Sequence, residues 1–484
     1  GMNSQIAHAT AFVLRNSLTQ GYKSKFMNLN DQSITADKNE VFVKKLHLNE
    51  FYSINAFEFF NIPGNTIAYW MSEQVSSIFK NSKKLSDIAM PRQGLATGDN
   101  ERFVRLWYEV DCFKIGFGFS SNVVASNTEY KWFPYNKGGG FRKWYGNNLC
   151  VVDWYKDGRN IREDKLYKLS IGECLLSNSK PKNVQHYFKR GITWSLISTF
   201  DFAARISEGG YVFDVGGSTV FPNEEDIFYL LSLMCSKVTF NLLKFIAPTI
   251  NFQVGDIASI PIIFPEDDAV KTLIGKITKD NIEISQEDWN SYETSWDFKL
   301  HPIIAHKENS KTIMKAFDNC LKHNSRQFAK LKENEEKINK IFIDIYDLGG
   351  ELSPNVEDKY ITINNADIEK EIKSFISYAV GCMFGRYSLD EEGLIYAGGE
   401  FNPDRYKTFK ADVDNVIPIT DDEYFEDDIV SRFVEFVKIT FGEKTLEENL
   451  DYIADTLGKK GNETSRQTIR RYFLKDFYKD HLKT

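Results

Sequence analysis

Between residues 313 and 345 apolar side chains recur with helical spacing, and this run constrains the fold more than any other feature of the chain. Ile313, Phe317, Leu321, Phe328, Leu331, Ile338, Phe342 and Ile345 fall every three or four residues, or at multiples of that spacing. The pattern predicts one long amphipathic helix with a coiled-coil-like seam, roughly 50 Å long at about 1.5 Å per residue. Its apolar stripe has to be covered by other elements. Further helices are expected at Asp367–Phe384, Asp422–Phe441 and Thr464–Asp480, the last opening on a Thr464/Gln467 capping box.

Before Pro265 the texture differs. Short β-branched and aromatic runs at Phe103–Val110, Cys112–Phe119, Leu149–Tyr155, Ile171–Leu176 and Tyr211–Val215 read as strands, separated by glycine turns. A helix is expected from Glu224 to Ile246, followed by a turn and a closing strand within Asn251–Ile262. The fold class is therefore α+β: a mixed α/β part followed by a mainly helical region. Its 484 residues suffice for about three domains. The expected divisions are 1–90, 91–266, 267–350 and 351–484.

Composition excludes several classes. With 42% hydrophobic and 26% charged residues the chain is not a disordered one. The apolar run Asn241–Ile250 is broken by Lys244 and Pro248, short of the ~20 residues a spanning helix needs. No signal peptide is visible, and Gly1 ahead of Met2 has the form of a tag-removal scar. The six cysteines are scattered and form no C-x-x-C pair, which points to reduced thiols in a cytoplasmic protein rather than to zinc or disulfides. A net charge of −8 argues against a nucleic-acid partner only if basic residues are evenly spread.

They are not. From Lys131 to Asn148 the chain carries Lys131, Lys137, Arg142 and Lys143 and no acid. Trp132, Phe133, Tyr135, Phe141, Trp144 and Tyr145 are interleaved, with Asn136, Asn147 and Asn148 and three consecutive glycines. Cations offset phosphate charge, Arg and Asn can read purine edges, and glycines let backbone approach a ligand. A glycine-rich hairpin on a solvated face would look the same locally. Two weaker candidates are the Gly94–Arg105 segment, with Thr97, Asn100 and Arg102, and the Phe188–Ser195 segment, with Arg190, Thr193 and Trp194. From Lys459 to Thr484 eight basic residues face three acidic ones, a stripe that either follows phosphates or is a solvated helix face. The acidic run Asp421–Asp428 reads as a helix start exploiting the macrodipole.

Catalytic signatures are lacking: no P-loop, no G-x-S-x-G, no H-E-x-x-H. Phe213-Asp-Val-Gly-Gly-Ser has the acidic, glycine-rich form of a turn that holds S-adenosylmethionine, although a strand followed by a tight turn explains it as well. The N-P-P-Y type motif that holds a flipped base is absent from the chain.

Taken together, Thr10–Asn16, Pro63–Trp70, Pro91–Asn100, Lys131–Asn147, Gly191–Ser195, Asn251–Ile257, Tyr292–Phe298, Tyr378–Ser388 and Asn462–Gln467 form a joint signature. On these segments the chain resembles the adenine-specific DNA methyltransferases of the BREX phage-defence system, the PglX family. That family is in turn similar to type IIG restriction–modification enzymes. The resemblance implies that this chain follows the family's catalytic domain. Residues 1–90 would then be the connector, 91–266 a DNA target-recognition domain, 267–350 a helical spacer and 351–484 a C-terminal helical domain. It implies no cofactor in this chain, S-adenosylmethionine belonging to the catalytic domain, and no catalytic residue. The implied partner is double-stranded DNA, met by Thr97, Asn100, Arg102, Lys131, Tyr135, Asn136, Lys137, Arg142, Lys143, Asn147, Arg190, Thr193 and Trp194. Two alternatives stay open: a docking module for other defence-system subunits or a phage DNA mimic, and a free-standing S-adenosylmethionine-binding enzyme built around Asp214.

Overall fold

The computed structural model describes residues 11–482, apart from positions 15, 18, 20 and 34. Gly1, Met2, Thr10, Arg15, Lys483 and Thr484, named above, lie outside the described residues. The chain divides into two compact units between Ser82 and Lys83. The expected recognition, spacer and C-terminal parts all belong to the second unit.

In the first unit, strands Lys23–Phe26 and Tyr52–Asn55 pair antiparallel. Helices Lys38–His47 and Glu73–Asn81 each start on a side-chain cap, Asp37 and Ser72, whose oxygens accept backbone N–H groups of the first turn.

The second unit opens with two small four-stranded sheets. One runs in the order Val212–Phe213, Trp132–Asn136, Cys150–Asp153, Val104–Leu106, with its first pair parallel and the rest antiparallel. The other runs Pro91–Arg92, Thr219–Val220, Gly191–Trp194, Ala204–Ser207, all antiparallel. Strand Pro261–Ile262 closes this part, as expected for the Asn251–Ile262 segment. It pairs with Lys83–Lys84, so the closure begins several residues before position 91.

Several expectations are corrected. Cys112–Phe119 is not a strand: Asp111 caps a short 3-10 turn at Cys112–Lys114. Ile171–Leu176 is the chain leaving a helix that ends at Ser170. The single helix expected from Glu224 to Ile246 is two, Ile227–Cys235 and Lys237–Ile246, bent by 69°. The bend falls at Ser236, whose extended backbone and side-chain oxygen cap the second helix. No single helix among the described residues is long and apolar enough to cross a membrane. The described cysteines are all free thiols.

The long helix spans Ile313–Ile345, and its N-cap is Thr312. Its buried residues fall into two patches rather than one seam. Ile313, Ala316, Phe317 and Cys320 lie at one end, and Leu331, Ile338, Phe342 and Ile343 at the other. Leu321 is exposed. The helix thus joins two environments. Its first turns enter the C-terminal helical core with Phe375, Phe433 and Phe436. Its last turns pack on helices Asp268–Asn290 and Lys237–Ile246.

In the C-terminal region Thr464 and Gln467 form the capping box expected for Ser465–Lys475. The acidic run is not the first turn of a helix. The helix is Ile429–Phe441, and only Asp428 takes part, as its N-cap, fully buried and ion-paired with Arg470 at 2.5 Å. Arg466 pairs with Glu447, Arg471 with Glu463 and Lys459 with Asp451. Much of the basic C-terminal stripe is therefore neutralised within its own helices.

Candidate nucleic-acid interface

The two sheets meet where three glycine-bearing loops converge. A Cβ at Gly94 would lie 1.9 Å from the Phe213 carbonyl oxygen, and one at Gly138 would lie 2.4 Å from the Gly216 carbonyl oxygen. Only glycine permits these approaches. They bring the 94–100, 136–140 and 214–218 segments to one end of the sheets.

Asp214 ties the three together. Its carboxylate accepts the Tyr135 hydroxyl, accepts the Gly216 N–H at 2.6 Å, and lies 3.7 Å from the Lys137 ammonium. The Leu95 N–H donates to the Phe213 carbonyl at 2.7 Å, and the Leu95 carbonyl accepts from Tyr135 at 3.1 Å. Burial, then the Asp214 charge, pushes the Tyr135 hydroxyl well above its ordinary pKa, so it stays a donor. The carboxylate at the centre of the alternative S-adenosylmethionine site is thus engaged in shaping the turn.

The sequence-derived candidates separate into two groups. Arg102 and Lys131 keep much of their side chains in solvent, 60% and 49%, although Arg102 pairs with Asp164 at 3.0 Å and Lys131 with Asp153 at 3.7 Å. Lys137 is one-third exposed. Asn100 is exposed and accepts from the buried Thr97 hydroxyl at 2.7 Å. Asn147 donates to the Gly140 carbonyl at 2.9 Å and holds the glycine turn. Arg190 is claimed by Glu208 and Glu224 at 2.7 and 2.6 Å.

The second group is interior. Trp194 is fully buried and its indole N–H donates to the Phe252 carbonyl. The buried Thr193 hydroxyl donates to the backbone of the Gly217–Ser218 turn. Tyr135 is spent on Asp214, and Asn136 donates to the Ser207 hydroxyl at 2.8 Å.

Arg142 and Lys143 are the main correction. Both are buried, and both reach out of the sheet-bearing part into the helices. Arg142 donates to Asp288 at 2.6 Å and stacks over Trp289. Lys143 donates to Glu335 of the long helix at 2.6 Å, and the neighbouring Trp144 indole donates to the other oxygen of the same carboxylate at 2.8 Å. Trp144 holds this position at a φ of +68°, fixed by backbone hydrogen bonds to Ala204 and Ile206. A cation that is itself buried and paired with a buried carboxylate is not available to a phosphate, so these two act as clamps between the sheets and the helices.

The sequence reading missed three residues of this clamp. Glu335 sits on the apolar face with Leu331, Ile338 and Phe342, a charge at a core position of the heptad, and that was its signal. Asp288 gave none. Arg205 interrupts the apolar strand Ala204–Ser207. It is fully buried, donates to the Arg142 carbonyl and the Ser195 hydroxyl, and has its pKa lowered to about 10 by burial and then by Arg142.

Over its whole length the chain is 39% identical, across 494 aligned positions, to the adenine-specific methyltransferase PglX of Lacticaseibacillus casei (strain Zhang). It is 34% identical, across 516 positions, to the adenine-specific methyltransferase BrxX of Escherichia coli O9:H4 (strain HS). The chain spans 40% of the length of each of these curated relatives. No family model matches it. The resemblance to the PglX family is borne out along the entire chain.

Proposed function

We propose that this chain, a homologue of the PglX and BrxX adenine-specific methyltransferases along its whole length, is the part of such an enzyme that reads double-stranded DNA. An enzyme that modifies one base type must find its site in a duplex and hold it by the phosphates while side chains test base edges. The observation that supports this role is the convergence of three glycine loops at one end of two small sheets, with Asn100 and Lys137 on them; Arg102, in the short helix Asn100–Phe103, and Lys131, at the other end of strand Trp132–Asn136, add exposed cations outside the buried clamp. Exposed cations on this part of a net acidic chain offer phosphates a local attraction that the net charge hides. Flipping the adenine and methylating its exocyclic amine with S-adenosylmethionine belong, on this reading, to the part of the longer relatives that the chain does not cover.

The test is duplex binding across a salt series, with the bound fraction of a random pool sequenced. Affinity is expected to fall steeply with salt. The double variant Arg102→Ala, Lys137→Ala is expected to bind more weakly, with a salt slope reduced by about two if both cations meet phosphate. An unchanged slope removes these loops from the interface, and no binding at low salt removes the DNA role. The exposed apolar residues Phe42, Leu46, Phe60 and Ile67 of the first unit favour a second reading, a docking part of a defence complex. Capture of a defence-system subunit from nuclease-treated lysate by a chain that never binds DNA would decide for it.

A further inference from the structure

The helical region bears a cleft of about 440 Å³ and a second of about 410 Å³, both open to solvent, and Glu371 lines both. Glu371 lies in the first turn of helix Ile368–Met383 and is only 4% exposed. Its Oε2 has no hydrogen-bond partner. The nearby acid Asp288 is fully served: Arg142 occupies one oxygen at 2.6 Å and the Asn364 N–H the other at 2.9 Å. One buried cation therefore answers two buried carboxylates, and the charge left over is that of Glu371. An unpaired buried carboxylate is costly unless it takes up a proton or a cation.

The rest of the larger cleft points to what the cation would be. Ile284, Leu300 and Ile363 give it apolar walls. At its other side Glu287 accepts from His323 at 2.7 Å and from Gln327 at 2.6 Å. His306 stacks near His323, and its pKa is lowered by burial and then by that neighbour, which favours the neutral ring. Among the described residues no three His, Cys, Asp or Glu side chains are placed to hold a metal ion. The space suits an organic ligand rather than a bare ion. Methylenes would lie on the apolar wall while an ammonium group meets Glu371.

We propose that this cleft is a binding site for an aliphatic polyamine, with the Glu371 carboxylate as the anchor for one ammonium group. Charge balance supports it: the ligand supplies the cation that the Arg142–Asp288–Glu371 cluster lacks. Burial, Asp288 and Asp367 hold the Glu371 carboxyl up at about 7, against the pull of Lys370. Binding near neutral pH should therefore release a proton as the ammonium replaces it.

Isothermal titration of the full 484-residue chain with spermidine tests the proposal. A saturable one-to-one isotherm is expected, with proton release read from buffers of different ionisation enthalpy. Neither 1,4-butanediol nor magnesium chloride should reproduce it. Glu371→Gln should weaken spermidine roughly 10- to 100-fold, the range for losing a hydrogen bond to a charged group, and should abolish the proton release. Ala305→Trp at the cleft rim keeps the carboxylate and should block entry, which protects the test against a folding defect in the first variant. Absence of saturable binding overturns the proposal. So does binding unchanged by both variants. Magnesium binding that is lost in Glu371→Gln would replace the polyamine with a metal ion and overturn the ligand class.

Discussion

Glu335→Ala is expected to destabilise the chain by about 3–5 kcal/mol, the usual cost of removing one partner from a buried ion pair. The glutamate is 3% exposed and serves two donors from the segment between the sheets, the Lys143 ammonium and the Trp144 indole. Alanine leaves both buried without a partner. Against a typical total stability of about 5–15 kcal/mol, a loss of that size removes a large share of the margin. The pair Lys143→Met with Glu335→Leu should recover part of the loss, because an apolar replacement of both partners of a buried pair is often neutral, while the Trp144 indole N–H stays unpaired. Urea denaturation of wild type, both single variants and the double variant measures the coupling directly. A cost below about 1 kcal/mol for Glu335→Ala would show that the clamp is not what joins sheets to helices. The same cycle bears on DNA. Alanine at Arg142 or Lys143 is expected to impair duplex binding through loss of structure. A binding defect in those variants therefore counts for the interface only if the melting temperature is unchanged.

The misassignment of Arg142 and Lys143 shows what a sequence carries and what it does not. Helical periodicity placed the Ile313–Ile345 helix to the residue, and a cap signature placed the start of Ser465–Lys475, because both are local. Short β-branched runs placed Cys150–Asp153 and Val212–Phe213. The same rule failed at Cys112–Phe119, where an Asp111 cap turned the chain instead. Basic residues between aromatics and glycines signal a loop that meets negative charge. They do not say whose charge it is. Here the partners of Arg142 and Lys143 lie 146 and 192 positions further along the chain, on helices whose acids are read separately. The glycines were read as room for a ligand, yet at Gly94 and Gly138 the group approaching is the chain's own backbone. Arg102 and Lys131 differ from Arg142 and Lys143 in that their own side chains stay 60% and 49% exposed, although the carboxylates they pair with, Asp164 and Asp153, are buried.

Glu293 should make the chain less stable as pH rises through neutrality, and Glu293→Gln should remove that loss. Burial holds its carboxyl up at about 7, against 4.5 for an ordinary glutamate, although Arg386, Ser377 and Tyr387 pull the other way. Its Oε1 has no partner. The native state therefore binds this proton more tightly than the unfolded chain does. Below about pH 4.5 both states are protonated and the full stability is present; it is lost as pH climbs from about 4.5 to about 7. Each pKa unit is worth about 1.4 kcal/mol, so the ionised group costs roughly 3 kcal/mol at pH 8. Glutamine keeps the shape and carries no charge. The variant should match wild type near pH 4 and exceed it by up to about 3 kcal/mol at pH 8 in urea denaturation. Other groups titrate in acid: burial lowers the pKa of His301 to about 3, and Arg471 holds the partly exposed Glu463 down at about 2. They act equally on variant and wild type, so the difference between the two curves isolates Glu293. A difference that does not grow with pH would mean that Arg386 neutralises the carboxylate in the folded chain.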